Sequence, residues 1–322
     1  MQKKFSKLVD KQDCLFRYRA YNDETLSALM KNRLYFSRPS FFNDPYDNLI
    51  YVNSEMVVRE IIGNILTGMD SYLESRKSFE NLAFKIVEFM WHRDELKDCL
   101  LKERIKQLYA ALDTVRMKIK ENTKVICFAE EYDSMLMWSH YADYHKGFCL
   151  VYRKMDIENA KRYNNAEKEI NNKMVLSKVN YVEQQLDMTN DVLEYIRNNM
   201  FENMGDVPQG DSSIGSKNIR QVITEKSKDW AYEKEWRLIP RVPKIEIESP
   251  LAYIERKPTA VIIGSQCFRE KREKLINLCE SIGVPVYGIF LKENDPSCRL
   301  ALNDDGNLEL ESHEYFYYYY KE

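Results

Sequence analysis

Short strand-like runs separated by helical patterns constrain this chain most. Strand character occurs at 14–19, 34–37, 124–129, 147–152, 175–182, 260–264 and 284–291. The run Ala260-Val261-Ile262-Ile263-Gly264 is apolar without alternation, as expected of a strand buried on both faces. Helical spacing dominates 54–122, where Ile61, Ile62, Ile65 and Leu66 make one face and Leu82, Ile86, Phe89 and Met90 another. Two to four helices are expected there. Asn22 and Ser134 precede apolar positions at helical spacing and read as N-caps. Further helices are expected over 188–200, 219–228 and 271–283. No internal repeat and no linker stands out, so the simplest reading is one α+β domain over 1–322 with a helical insertion at about 54–122.

Net charge is −3, which gives no overall basic field to recruit nucleic acid. No stretch approaches the roughly 18 apolar residues that span a bilayer. The start, Met1-Gln2-Lys3-Lys4-Phe5, does not read as a secretory signal. The seven cysteines are odd in number, and several sit in apolar strand-like runs such as Val125-Ile126-Cys127-Phe128. They read as buried thiols of a cytoplasmic protein, with no membrane partner expected. Gly, Pro, Asp and Ser cluster over 205–216, which predicts a mobile loop. The tail Tyr315-Phe316-Tyr317-Tyr318-Tyr319-Tyr320 is expected to pack on the body or on a protein partner.

The densest chemistry lies in Tyr232-Glu233-Lys234-Glu235-Trp236-Arg237-Leu238. Read as a strand, it points Glu233, Glu235 and Arg237 one way and Lys234, Trp236 and Leu238 the other. This fits a half-buried strand carrying a polar site, or equally a solvated face with a surface ion pair. Cys127, His140, His145 and Cys149 also fall close together. Their spacing is not that of a zinc site, and His140 and His145, five apart, would lie on different helix faces. No metal is expected. His140 reads either as a proton carrier in a site or as a satisfied core histidine.

Three blocks together resemble the DUF2971 family of uncharacterised bacterial proteins. They are Phe16-Arg17-Tyr18-Arg19 with Leu34-Tyr35-Phe36-Ser37-Arg38-Pro39-Ser40-Phe41-Phe42-Asn43-Asp44-Pro45-Tyr46-Asp47; Met137-Trp138-Ser139-His140-Tyr141-Ala142-Asp143-Tyr144-His145-Lys146-Gly147-Phe148-Cys149 behind Ile126-Cys127-Phe128; and Tyr232-Glu233-Lys234-Glu235-Trp236-Arg237. More weakly, their order is similar to that of ADP-ribosyltransferases. That likeness implies a central mixed or antiparallel split sheet, and NAD as substrate. It implies transfer of ADP-ribose to a protein or nucleic-acid acceptor, or simple NAD cleavage, by a toxin-like or phage-defence effector. The Ser-x-Ser pattern of such enzymes is absent; Ser37 and Ser40 flank Arg38-Pro39 instead.

On this resemblance Glu235 would stabilise the cationic, oxocarbenium-like state formed as the nicotinamide–ribose bond breaks. Glu233 would orient or deprotonate the acceptor. Arg17 or Arg19 would fork onto the pyrophosphate, unless both pair structurally with Asp44, Asp47 or Glu235. Tyr35 or Trp138 could stack on nicotinamide beside Ser37, or belong to the core. Asn43 and Asp44 either contribute to the site or shape a turn, and Arg237 belongs to the same polar face as the glutamates. Two other functions fit the residues: a nuclease or phosphodiesterase with Asp44, Asp47, Glu233 and Glu235 on magnesium, and a non-catalytic ligand-sensing module.

Overall fold

The computed structural model describes residues 4–57, 59–60, 100–171, 173–201, 216–241, 248–291 and 300–303. The expected helices within 61–99, most of the 205–216 loop and the tyrosine-rich tail lie outside the described residues.

The strands are β1 (Cys14–Arg19), β2 (Arg33–Tyr35), β3 (Ile126–Ala129), β4 (Phe148–Arg153), β5 (Lys161–Tyr163), β6 (Met174–Lys178), β7 (Asn180–Val182), β8 (Glu225–Ser227), β9 (Glu235–Pro240), β10 (Tyr253–Glu255), β11 (Ala260–Ile263), β12 (Val286–Leu291) and β13 (Leu300–Leu302). Eight of them form one sheet in the order β13-β12-β11-β4-β1-β3-β9-β6. Every neighbouring pair in it is antiparallel except β11 with β12. Those two are joined by the helix Arg269–Ser281, the crossover that parallel strands require. The α+β class with a large mixed sheet is therefore present. Smaller sheets, β2-β10-β5 and β7-β8, flank it.

The two sheet faces carry different cores. One face holds Leu15, Phe128, Leu150 and Leu238, covered by Leu29 and Leu275 of the helices Asp23–Met30 and Arg269–Ser281. The other holds Phe16, Ala129, Cys149 and Ile262, covered by Met137 and Trp138 of the helix Met135–Tyr141. β11 serves both, which is why all four of its residues are apolar and buried. A third core forms at the β9 end, where Leu112, Val115 and Ile119 of the helix Leu100–Asn122 meet Val192, Val222, Ile223 and Ile239.

Capping follows the sequence. Asn22 accepts from Thr25 N, and Asn22 N donates to the Thr25 hydroxyl oxygen in return, closing a capping box. Ser134 caps the helix Met135–Tyr141. That helix stops where Asp143, Tyr144 and His145 all take positive φ. His145 is thus not on a helix face; its ring stacks on Trp138 and lies between the hydroxyls of Ser139 and Ser265. The turn is held against two glycines. A Cβ on Gly147 would lie 2.1 Å from the Arg19 carbonyl, and one on Gly264 would lie 2.1 Å from the His145 carbonyl. The helix expected over 219–228 is shorter than its pattern suggested, ending at Thr224, with β8 and a 3-10 helix after it. Four of the described cysteines, Cys14, Cys149, Cys267 and Cys279, are buried thiols, and Cys127 is half-buried.

Candidate functional site

The ladder between β1 and β3 is made at a single position, Phe16 opposite Ala129. Beyond it β1 runs on along β4 to Arg19, while β3 runs along β9. A cleft of about 380 Å³ opens beside this junction. That volume falls within the roughly 300–1,000 Å³ of small-molecule sites. By register, Phe16, Ala129 and Glu235 share one sheet face and Arg17 and Arg19 share the other. Residues of both faces line the cleft, next to the stretch where β1 and β3 are not paired.

One wall is a buried polar cluster. Arg237, fully buried, forks onto Glu235 through Nε–Oε1 at 2.8 Å and Nη2–Oε2 at 2.9 Å. It also donates to both oxygens of Asp47, at 3.0 and 2.6 Å. Lys226 lies 2.6 Å from Glu233 Oε2 and 3.5 Å from carboxylate oxygens of both Glu235 and Asp47. Three carboxylates thus surround two cations, so the cluster carries one net negative charge when all are ionised. Burial alone disfavours charge on Glu235, but Arg237 and then Lys226 outweigh it and hold its carboxyl at about 2. Glu233 goes the other way. Burial and the neighbouring Glu235 push its carboxyl up, against the pull of Lys226. Two carboxyls two residues apart are thereby driven to opposite proton affinities, the pattern of a charge-stabilising group beside a proton-handling one.

The lining also holds two arginines, Arg17 and Arg19. Arg17 donates from Nη2 to the Tyr35 carbonyl at 3.3 Å, and its Nη1 is shut from solvent with no hydrogen-bond partner. Burial, and then the adjacent Arg19, lower Arg17 to about 10, which leaves it charged at neutral pH. Its guanidinium lies 5.9 Å from the centre of the Phe128 ring. A cation in such a position, short of a donor's partner, suits an anionic group entering the cleft.

Among the expected site residues, Arg17, Arg19, Ser37, Asn43, His140, Glu233 and Glu235 line this one cleft. Four do not. Tyr35 is 43% exposed and packs its ring on Tyr253. Trp138 is fully buried, donates to the Tyr132 carbonyl and meets Tyr18 edge-on. Asp44 caps Tyr46 N and faces a separate cavity of about 370 Å³. Arg237 sits behind Glu235 rather than in the cleft. The strand reading of Glu233 is also corrected. β9 begins at Glu235; Glu233 ends a 3-10 helix, Lys228–Glu233, and Lys234 after it is left-handed with φ 45°. Glu233 reaches the cluster through that turn, not through alternation.

Lys226, Tyr141 and Phe41 are cleft residues the sequence pattern did not single out. Lys226 stood inside what read as a helix, and the apolar spacing of its own segment explained Tyr141. The Tyr141 hydroxyl donates to Glu233 Oε1 at 2.5 Å and lies 3.1 Å from Asn43 Nδ2. Among the described residues no group of His, Cys, Asp and Glu is arranged to hold a metal ion. No described helix is long and apolar enough to cross a membrane.

No curated protein and no solved structure matches the chain. Residues 137–238 match the family model described as Protein of unknown function (DUF2971), and that segment holds Tyr141, Lys226, Glu233, Glu235 and Arg237 of the cluster, while Asp47 lies before it.

Proposed function

We propose that the protein is an ADP-ribosyltransferase-like enzyme that takes NAD as substrate and either transfers ADP-ribose to an acceptor or cleaves NAD with water. The observation that carries this reading is convergence: Arg17 and Arg19 of β1 line the same cleft as Glu233 and Glu235. Arg17, charged at neutral pH and part of the lining, is the cation for the pyrophosphate. Phe41, 77% exposed and part of the lining, supplies the aromatic surface for nicotinamide that Tyr35 and Trp138 do not. Glu235, ionised and fixed by Arg237, stabilises positive charge developing on the ribose. Glu233, whose proton affinity is raised, takes the acceptor proton.

A magnesium nuclease is the weaker reading, because Lys226 and Arg237 already occupy the carboxylate oxygens an ion would need. The test is release of nicotinamide from NAD by purified protein without added metal. Glu235→Gln should reduce the rate by at least about 100-fold, the usual cost of removing a preorganised charge. Absence of nicotinamide with wild-type protein, or activity that needs magnesium, would remove this reading.

A further inference from the structure

Glu233 is 3% exposed, and both its oxygens are engaged, Oε1 by the Tyr141 hydroxyl and Oε2 by Lys226. Its carboxylate therefore has little open surface to present to an acceptor. Tyr141 stands on the cleft side of this contact. It is half-buried, belongs to the lining, and ends the helix Met135–Tyr141 with its hydroxyl on Glu233. Asn43 brackets the same hydroxyl with Nδ2 at 3.1 Å and Oδ1 at 3.3 Å. A phenol oxygen has one hydrogen and two lone pairs. The hydrogen goes to Glu233, the shorter contact; Asn43 Nδ2 donates to one lone pair, and the second remains for a group in the cleft.

We propose that Tyr141 is a catalytic residue that carries the acceptor's proton from the cleft to Glu233. The inference rests on the NAD-consuming reading of the site. As the C1′–N bond breaks, its electron pair leaves with nicotinamide, neutralising the pyridinium charge. The acceptor oxygen bonds to C1′ and gives its proton to Tyr141 Oη, while the hydrogen already on Oη passes to Glu233 Oε1. One O–H bond is lost at the acceptor, one is gained at Glu233, and Tyr141 ends as it began. Burial and then the charge of Glu233 push the Tyr141 phenol well up, so it never has to exist as phenolate. Among the described residues, Lys226, Glu235, Asp47 and Tyr181 on the buried side, and His140 and Tyr232 beside the helix, are other titratable groups around this pair.

The test compares wild type with Tyr141→Phe, which keeps the ring and removes only the hydroxyl. Nicotinamide release is followed at saturating NAD across pH. The expected result is a fall in kcat of at least about 100-fold, the range of general acid–base catalysis, with KM for NAD little changed. Should Tyr141→Phe fail to fold, 3,5-difluorotyrosine at position 141 keeps every heavy atom of the network and makes the phenol more acidic. A more acidic phenol donates a stronger bond to the Glu233 carboxylate and lowers its proton affinity, so the pH profile of kcat should move to lower pH. An active wild type whose kcat survives Tyr141→Phe, or an unmoved profile in the fluorinated protein, would overturn the role of Tyr141 and leave the NAD reading intact. A wild type that releases no nicotinamide would overturn both.

Discussion

Arg237 is the residue on which the buried cluster turns, because it pairs two carboxylates at once with no exposure of its own. Removing one partner from a buried ion network leaves uncompensated charge, so Arg237→Met should cost about 3–5 kcal/mol, read as a lowered urea midpoint at neutral pH. The same contacts set a pH dependence. Glu235 titrates at about 2 in the folded chain against an ordinary 4.5. A depressed carboxyl contributes stability above its unfolded value and loses it as pH falls through the folded one. About 3 kcal/mol should therefore disappear between pH 4.5 and 2, and Glu235→Gln should flatten that part of the urea-midpoint profile. Glu233 has the opposite sign: its raised carboxyl costs stability when ionised and is relieved as pH falls. The sequence showed Glu233, Glu235 and Arg237 as a group. It did not show Lys226, because nothing in a run of helical spacing marks the lysine that turns inward where the helix stops.

Elements position the cleft through two devices. The first is the short β1–β3 ladder, which lets residues of opposite sheet faces meet. The second is the left-handed turn at Asp143, Tyr144 and His145, which ends the helix carrying Tyr141 and seats its exit against Gly147. Gly147 N donates to the Ala142 carbonyl at 2.8 Å, and its bare Cα lies against Arg19 of β1. Gly147→Ala would push on the backbone of Arg19 and of Ala142. It should cost about 1–3 kcal/mol by overpacking and shift the amide resonance of Arg19 in NMR spectra. Strands β1, β3, β4, β11 and β12 were legible because their runs are apolar or alternating. The break after Thr224 was not, since Glu225-Lys226-Ser227 continues a helical pattern and is drawn into β8 only by pairing with β7.

At the scale of the molecule, the cleft draws on segments far apart in the chain, from Arg17 to Glu235, so a ligand held there stabilises the whole fold. NAD at 100 times its Kd should add about 2.7 kcal/mol to the unfolding free energy. Arg17→Met should lose the single bond from Nη2 to the Tyr35 carbonyl, a cost of about 1 kcal/mol without ligand, and gain much less from NAD than wild type does. A melting temperature that responds equally in both proteins would mean that Arg17 does not touch the ligand. The sequence by itself determined the class of fold, most strand and helix positions, the helix caps and a list of polar residues worth bringing together. Those follow from spacing, propensity and local hydrogen bonding, which act over a few residues. Tertiary structure alone decided which of them meet. It sent Tyr35 and Trp138 into packing, set Arg237 behind Glu235, brought Lys226 and Tyr141 onto Glu233, and left Arg17 Nη1 without a partner. Strand order and ladder length decide these contacts, and both are set by the packing of the whole sheet, which no local window of the chain contains.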